Sequence, residues 1–127
     1  MRRRVALAVA AAGLAVCAAS DVYLNVSTPD SQWSGGDFLL VAWNWVPFAL
    51  LAGVVAVSRV SYSAATVGTV LMGALVVVLF WAEASDLRSS DPSSTGAIAL
   101  AIGPFYDAVI IALVCGVDAI VRKLARR

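Results

Sequence analysis

The sequence contains no histidine and only two cysteines, and charged residues make up just 13% of it. The lack of histidine removes the commonest general base and the commonest metal ligand of proteins. The chain also lacks a glycine-rich phosphate loop, a nucleophile motif and a nucleic-acid-binding pattern. These absences disfavour an enzyme and a nucleic-acid-binding protein. We therefore predict no catalytic residue, no cofactor and no metal.

The two cysteines are not expected to form a disulfide. Cys17 lies near the outer end of the first apolar segment, and Cys115 lies near the inner end of the last one. A disulfide requires Cα atoms within about 7 Å of each other. We interpret both residues as small apolar fillers.

Long apolar segments are what the sequence has in abundance. Hydrophobic residues make up 61% of the chain, and the mean hydropathy is +0.90, above what is usual for a soluble domain. The four segments cover residues 5–24, 38–57, 64–82 and 96–121, and each has about the 20 residues that a helix needs to cross a bilayer. We predict an all-α, integral membrane bundle of four transmembrane helices in one domain, residues 1–127.

The first segment has two readings. Its basic start, Arg2 to Arg4, its short apolar run and its small residues up to Ser20 fit a cleavable signal peptide. The same features fit an uncleaved first span. We prefer the span, because three more apolar segments follow.

The distribution of positive charge predicts the orientation. With four spans, eight of the nine Lys and Arg residues fall on the side of the termini, and only Arg88 falls on the other side. Positively charged residues favour the cytoplasmic side of short loops. Both termini are therefore predicted to be cytoplasmic. The preference for Ala, Val and Arg indicates a bacterium, which gives a bacterial inner membrane as the location and the lipid bilayer as a partner.

One carboxyl group, Asp107, is predicted to lie near the middle of the bilayer. It stands about 15 Å below the outer end of the fourth segment, given the rise of an α-helix. An ionised Asp at that depth costs on the order of 3 kcal/mol. We expect it to be protonated, hydrogen-bonded inside the bundle or facing water. Asn44 and Thr69 are the polar residues nearest to it in predicted depth.

Glycine and proline residues accompany this polar site. Gly103 and Pro104 precede Asp107 by one turn, and Pro47 follows Asn44. Proline frees a backbone carbonyl and bends a helix, so both places are predicted helix breaks. A broken helix beside an acid is typical of ion sites in transporters. The alternative is a structural hydrogen bond between the second and fourth helices.

Small residues at four-residue spacing are predicted to let helices approach closely. Such pairs or triplets occur in the second, third and fourth segments: Ala49 and Gly53; Ala65, Thr69 and Gly73; Ala108, Ala112 and Gly116. At the cytoplasmic edge, Ser63 is a predicted N-cap, and Asp118 is predicted to pair with Arg122.

Acidic residues concentrate in the segments predicted to lie outside, where residues 83–95 are expected to form a loop. Glu83, Asp86 and Asp91, with Asp30 and Asp37, suggest either a divalent cation site or a surface enzyme. Their spacing matches no calcium loop, and no nucleophile accompanies them. We interpret them as the acidic surface that remains once positive charge is sorted to the other side.

The segment Asp91 to Thr95, followed by Gly103 to Tyr106 in the last helix, resembles small uncharacterised bacterial four-span inner-membrane proteins. The resemblance covers about the last third of the chain and implies no activity. Small multidrug transporters and fluoride channels have a similar size. The chain lacks the embedded acid in the first helix of the former and the Gly-rich, Arg-containing signature of the latter.

Two functions remain open from the sequence. The first is a non-enzymatic scaffold, accessory or partner-binding subunit, with a second copy or another membrane protein as its partner. The alternative is a small oligomeric transporter or channel that uses Asp107 at a kinked fourth helix. Four helices enclose little space, so such a pathway would need an assembly.

Overall fold

The structure is a computed structural model that describes residues 1–27, 35–89 and 95–127, of which residues 35–37 and 95–96 are described by their backbone alone. The elements are four α-helices: α1 (Arg2–Ser27), α2 (Gly35–Val57), α3 (Tyr62–Leu87) and α4 (Thr95–Leu124). Each contains a stretch long and apolar enough to span a membrane. The described chain is thus all-α, as the four apolar segments predict.

The four helices form a bundle in which the chain order is not the order around the circumference. Helix α1 packs beside α2 and α3, and α4 packs beside the same two helices on the other side. Helices α2 and α3 approach each other across the centre, whereas α1 and α4 do not pack together in the described residues. The short link between α2 and α3 therefore makes them antiparallel without making them the main packing pair.

A stripe of buried residues on each helix builds the core. On α1 the buried positions recur every three or four residues, which is the repeat of one helix face: Ala6, Val9, Gly13, Cys17, Ser20 and Asp21. Phe48 of α2 is fully buried, and its ring lies against the backbone of Gly13. A Cβ atom at Gly13 would stand 2.1 Å from the Cγ atom of Phe48, so only glycine leaves room for the ring.

The remaining faces of the helices are apolar and exposed. Phe105 and Leu113 of α4 are each 64% exposed, and Val70 of α3 is 63% exposed. A water-soluble bundle would place polar side chains at such positions. Exposed apolar faces of this extent suit a hydrocarbon environment, which agrees with a membrane protein.

Helices α1 and α3 are longer than the predicted spans. Helix α1 ends at Ser27, and α3 continues to Leu87, five residues beyond the predicted end of the third span. The expectation of a loop from residue 83 was therefore wrong for Glu83 and Asp86, which lie in the last turns of α3. The backbone continues as a helix because Glu83 and Ala84 are buried inside the bundle.

The N-cap of α3 is Ser61, not the predicted Ser63. Ser61 has an extended backbone, and its hydroxyl accepts a hydrogen bond of 3.2 Å from the backbone N–H of Ala64. The same hydroxyl donates to a carboxylate oxygen of Asp118 on α4. Arg122 pairs with Asp118 at 2.8 Å, which confirms the predicted ion pair. Asp118 thus connects the start of α3 to the end of α4.

Candidate functional site

The buried stripe of α4 contains the acid that the sequence singles out. Leu100, Gly103, Pro104 and Asp107 are all buried, and their spacing of three or four residues places them on one face. Asp107 is 1% exposed, and neither oxygen of its carboxyl group has a hydrogen-bond partner among the described residues. A buried polar group without a partner is costly, so this carboxyl group needs an explanation.

Asn44 of α2 lies in the same part of the bundle. Its Nδ2 donates to the carbonyl of Leu40 at 3.0 Å, whereas its Oδ1 has no partner among the described residues. This oxygen faces α4 at Gly103, where an added Cβ atom would stand 3.4 Å from it. Since Gly103 is one turn before Asp107 on the same face of α4, Asn44 approaches the acid from the side of the α4 N-terminus.

A third helix contributes a thiol to this region. Cys17 of α1 is fully buried, and the Asp107 carboxyl group contributes to the electrostatic environment of its thiol. Cys17 and Cys115 are both free cysteines. The thiol is only a weak hydrogen-bond donor. The interior therefore combines three unpartnered acceptor oxygens, those of Asp107 and Asn44, with one weak donor from α1.

Thr69, the other predicted member of the site, has its hydroxyl group bound elsewhere. Its Oγ1 donates to the carbonyl of Ala65 in its own helix at 2.8 Å. Its side chain lines a groove between α1 and α3 together with Ala8 and Ala12. The polar region thus has Asn44 and Asp107 in common with the prediction, and Cys17 is a member that depth alone did not single out.

The predicted helix breaks lie inside continuous helices. Pro47 is within α2 and Pro104 is within α4. Next to Pro104, the indole Nε1 of Trp43 donates to the carbonyl of Ala101 at 2.8 Å, and the Trp43 ring meets Phe105 edge to face at 6.0 Å. Pro104 removes the helical hydrogen bond to the carbonyl of Leu100, and the Trp43 bond is made to the next carbonyl of the same turn.

Gly103 allows this close approach of α4 to its neighbours. An added Cβ atom would stand 2.7 Å from Cδ1 of Leu79 on α3, besides its proximity to Asn44. Glycine at this position therefore lets α4 lie against both α2 and α3.

Among the described residues, two acids at the ends of apolar segments, Asp21 and Glu83, are buried inside the bundle. Glu83 is 7% exposed and therefore lies inside the bundle, near the C-terminal end of α3. Asp21, in the second half of α1, is 2% exposed. Within the described parts of the chain, no three acidic, His or Cys side chains come together as a metal site. Asp30 and Asp91 lie outside the described residues, as does the side chain of Asp37.

The chemistry open to the buried region is limited. Three acceptor oxygens, closed off from solvent, can take up a proton, a water molecule or a small cation. A proton or a water molecule supplies the missing hydrogen-bond donor, and a cation supplies positive charge. The same arrangement offers no activated nucleophile. No known protein family, curated protein or solved structure matches this chain. The assignment of a role consequently depends on the geometry alone.

Proposed function

We propose that the chain is an integral membrane protein of the bacterial inner membrane, with four spans and both termini in the cytoplasm. Four helices of sufficient length and apolar character support the spans. Eight of the nine Lys and Arg residues then fall on the side of the termini, which supports the orientation.

We further propose that it is a non-enzymatic accessory or partner-binding subunit. The observation that carries this proposal is the exposed face of α4, which points away from the rest of the bundle. Ala108, Ala112 and Gly116 form a line of small residues that are exposed, and no atom lies within 4 Å of an added Cβ at Gly116. Small residues at this spacing let a second helix approach closely.

Helix α3 supports the proposal because the same pattern is used there inside the bundle. Ala65 and Gly73 are buried, and Gly73 faces Val16 of α1. Helix α4 is also the least buried of the four: 22% of its most apolar stretch is buried, against 33% in each of the others. A face built like the α3 contact, on the least covered helix, suits a helix of a second copy or of another membrane protein.

Affinity purification from membranes tests this proposal. The wild-type protein should purify as an assembly larger than one chain, and Ala112→Leu should break the assembly by filling the face of α4. Ala74→Leu is the matched control, because Ala74 is exposed on α3 away from that face. Wild-type protein that purifies as a lone monomer, or equal loss in both variants, would overturn the proposal.

The unpartnered Asp107 favours a second candidate function, a small oligomeric transporter or channel. A carboxyl group inside a membrane bundle is commonly part of an ion or proton pathway. Reconstituted protein should then carry ions or protons across liposomes, and Asp107→Asn should abolish the flux. Flux that is unchanged by Asp107→Asn would exclude Asp107 from the pathway. If the wild type carries no flux, the transporter function is excluded and the accessory role remains.

A further inference from the structure

Basic side chains from two separate parts of the chain line one pocket at the inner end of the bundle. Arg59 comes from the link between α2 and α3, and the others come from the end of α4: Arg122, Lys123, Arg126 and Arg127. The pocket has a volume of about 350 Å³. Cations at a helix C-terminus are common because they oppose the helix dipole. That explanation does not cover Arg59, which is not on α4.

Most of the positive charge in this pocket is not neutralised by the protein. Arg122 pairs with Asp118. Asp118 also accepts hydrogen bonds from the backbone N–H and the hydroxyl group of Ser61, so its acceptor capacity is well used. Among the described residues, the remaining four cations have no acidic partner. Their mutual repulsion favours an anion in the pocket.

An apolar groove between α3 and α4 adjoins the basic pocket. It has a volume of about 380 Å³, and its walls include Val67 of α3 with Leu113 and Val117 of α4. Ser61 and Ser63 add hydroxyl groups at its inner end. Asp118 lines the groove and Arg122 lines the pocket, so their ion pair lies where the two meet.

We propose that the groove and pocket together bind one anionic phospholipid of the inner leaflet. The phosphate group lies among Arg59 and the basic residues of α4, and one acyl chain lies along the α3–α4 groove. Basic pockets beside membrane helices on the cytoplasmic side are suited to anionic headgroups. The inference rests on the proposed membrane insertion with the α4 C-terminus in the cytoplasm, because only then does the pocket meet a headgroup layer.

Native mass spectrometry of detergent-purified protein tests the proposal, with phosphatidylglycerol and phosphatidylcholine of identical acyl chains as probes. The wild type should bind one phosphatidylglycerol in clear preference to phosphatidylcholine. The double variant Arg59→Gln/Arg126→Gln should bind phosphatidylglycerol about tenfold more weakly. The control Arg2→Gln/Arg3→Gln removes the same charge from the same end of the bundle but not from the pocket, and it should retain binding.

Two more measurements identify the source of the phosphate group. Val117→Phe, which narrows the groove at an exposed position, should also weaken phosphatidylglycerol binding, because the acyl chain loses its place. Inorganic phosphate in large excess should not displace the lipid. Displacement by phosphate, together with unchanged binding in Val117→Phe, would indicate a free anion site and overturn the proposal.

The outcomes separate this inference from the proposed membrane insertion. Equal binding of the two lipids, or equal loss in the Arg2/Arg3 control, would overturn the lipid site. Alkaline carbonate extraction of membranes, made on the same variants, reports insertion independently. Protein that stays in the membrane but shows no lipid preference disproves the lipid site alone, whereas protein released by carbonate disproves the insertion itself.

Discussion

At the scale of single residues, Gly13 decides how closely α1 and α2 pack. The ring of Phe48 occupies the space that any larger side chain at residue 13 would need, with contacts of 2.1 to 2.5 Å to an added Cβ. The ring is fully buried and belongs to the core, so it has little room to move away. A single methyl group here would consequently force the two helices apart.

We expect Gly13→Ala to destabilise the bundle by about 1–3 kcal/mol, the usual cost of overpacking. Thermal unfolding in one detergent would measure the change. Gly53→Ala is the matched control, because nothing lies within 4 Å of its added Cβ and alanine is the better helix former. It should leave the melting temperature unchanged or raise it. Equal destabilisation by both changes would contradict the close Gly13–Phe48 contact.

Asp107 is the second residue whose energetics can be tested directly. Leucine has the branched shape of aspartate and would place methyl groups where the two unpartnered oxygens lie. Because a buried polar group without a partner costs about 1–3 kcal/mol, we expect Asp107→Leu to stabilise the protein by a comparable amount. The melting temperature should rise with the assembly intact. A fall would mean that the carboxyl group has a hydrogen-bond partner, such as bound water, whose loss is costly.

At the scale of the helix, tryptophan side chains connect α2 to α1 and to α4. Trp43 donates to the carbonyl of Ala101 on α4 at 2.8 Å, and Trp45 donates to the carbonyl of Ala10 on α1 at 2.9 Å. Two residues apart on a helix, they point to opposite sides, since each residue turns the helix by roughly 100°. The bonds therefore fix the rotation of α2 about its axis, which in turn aims Asn44 at α4.

We expect Trp43→Phe to cost about 0.5–1.5 kcal/mol, because it removes the hydrogen bond to Ala101 and retains an aromatic ring beside Phe105. Trp45→Phe should cost a similar amount, and the two effects should add because the bonds lie on opposite sides of α2. Trp81→Phe is the control, since Trp81 is exposed on α3. Thermal unfolding of the wild type, the three single variants and the double variant Trp43→Phe/Trp45→Phe would measure these effects. No loss in Trp43→Phe would mean that the bond from Trp43 to the Ala101 carbonyl contributes no net stability.

Local sequence patterns predict the helices more accurately than they predict the contacts between distant residues. Apolar length predicts four helices, and the spacing of four residues predicts the Asp118–Arg122 pair, because both depend on neighbours along the chain. The N-cap of α3 was missed because Asp118, far away in sequence, holds Ser61 in place. The burial of Glu83 was missed because a charged residue after an apolar run is usually solvent-exposed.

The sequence predicts how far along each helix the candidate site lies, but it does not predict which side of each helix faces that site. Counting residues places Asn44 and Asp107 at nearby levels, and in the structure the side-chain oxygen of Asn44 faces Gly103, one turn before Asp107. The same counting suggested Thr69, whose hydroxyl group instead bonds to Ala65 in its own helix. Which side of a nearly uniformly apolar helix faces the core depends on contacts such as Phe48 with Gly13 and Trp43 with Ala101, and these have no periodic signal.

At the scale of the whole molecule, the link 58–61 and both termini lie at one end of the bundle, because successive helices alternate in direction. Arg59 therefore shares that end with the basic residues of α4 and with Arg2 to Arg4 of α1. The opposite end holds Arg88, whose Nε donates to the carbonyl of Ala84. The fold thus concentrates positive charge at one end, as the positive-inside rule requires of a protein with cytoplasmic termini.

We expect reporter fusions to give opposite results at the two ends. Alkaline phosphatase, which is active only outside the cytoplasm, should be inactive when fused after Arg127 and active when fused after Ser89. A fluorescent protein that folds only in the cytoplasm should give the reverse pattern. Since charge sets the orientation, replacing Arg2, Arg3 and Arg4 with Gln should leave the pattern intact as long as Arg59 and the α4 cluster remain on the cytoplasmic side. Phosphatase activity after Arg127 in the wild type would show that the orientation is the opposite one, in which the basic pocket does not lie at the inner leaflet.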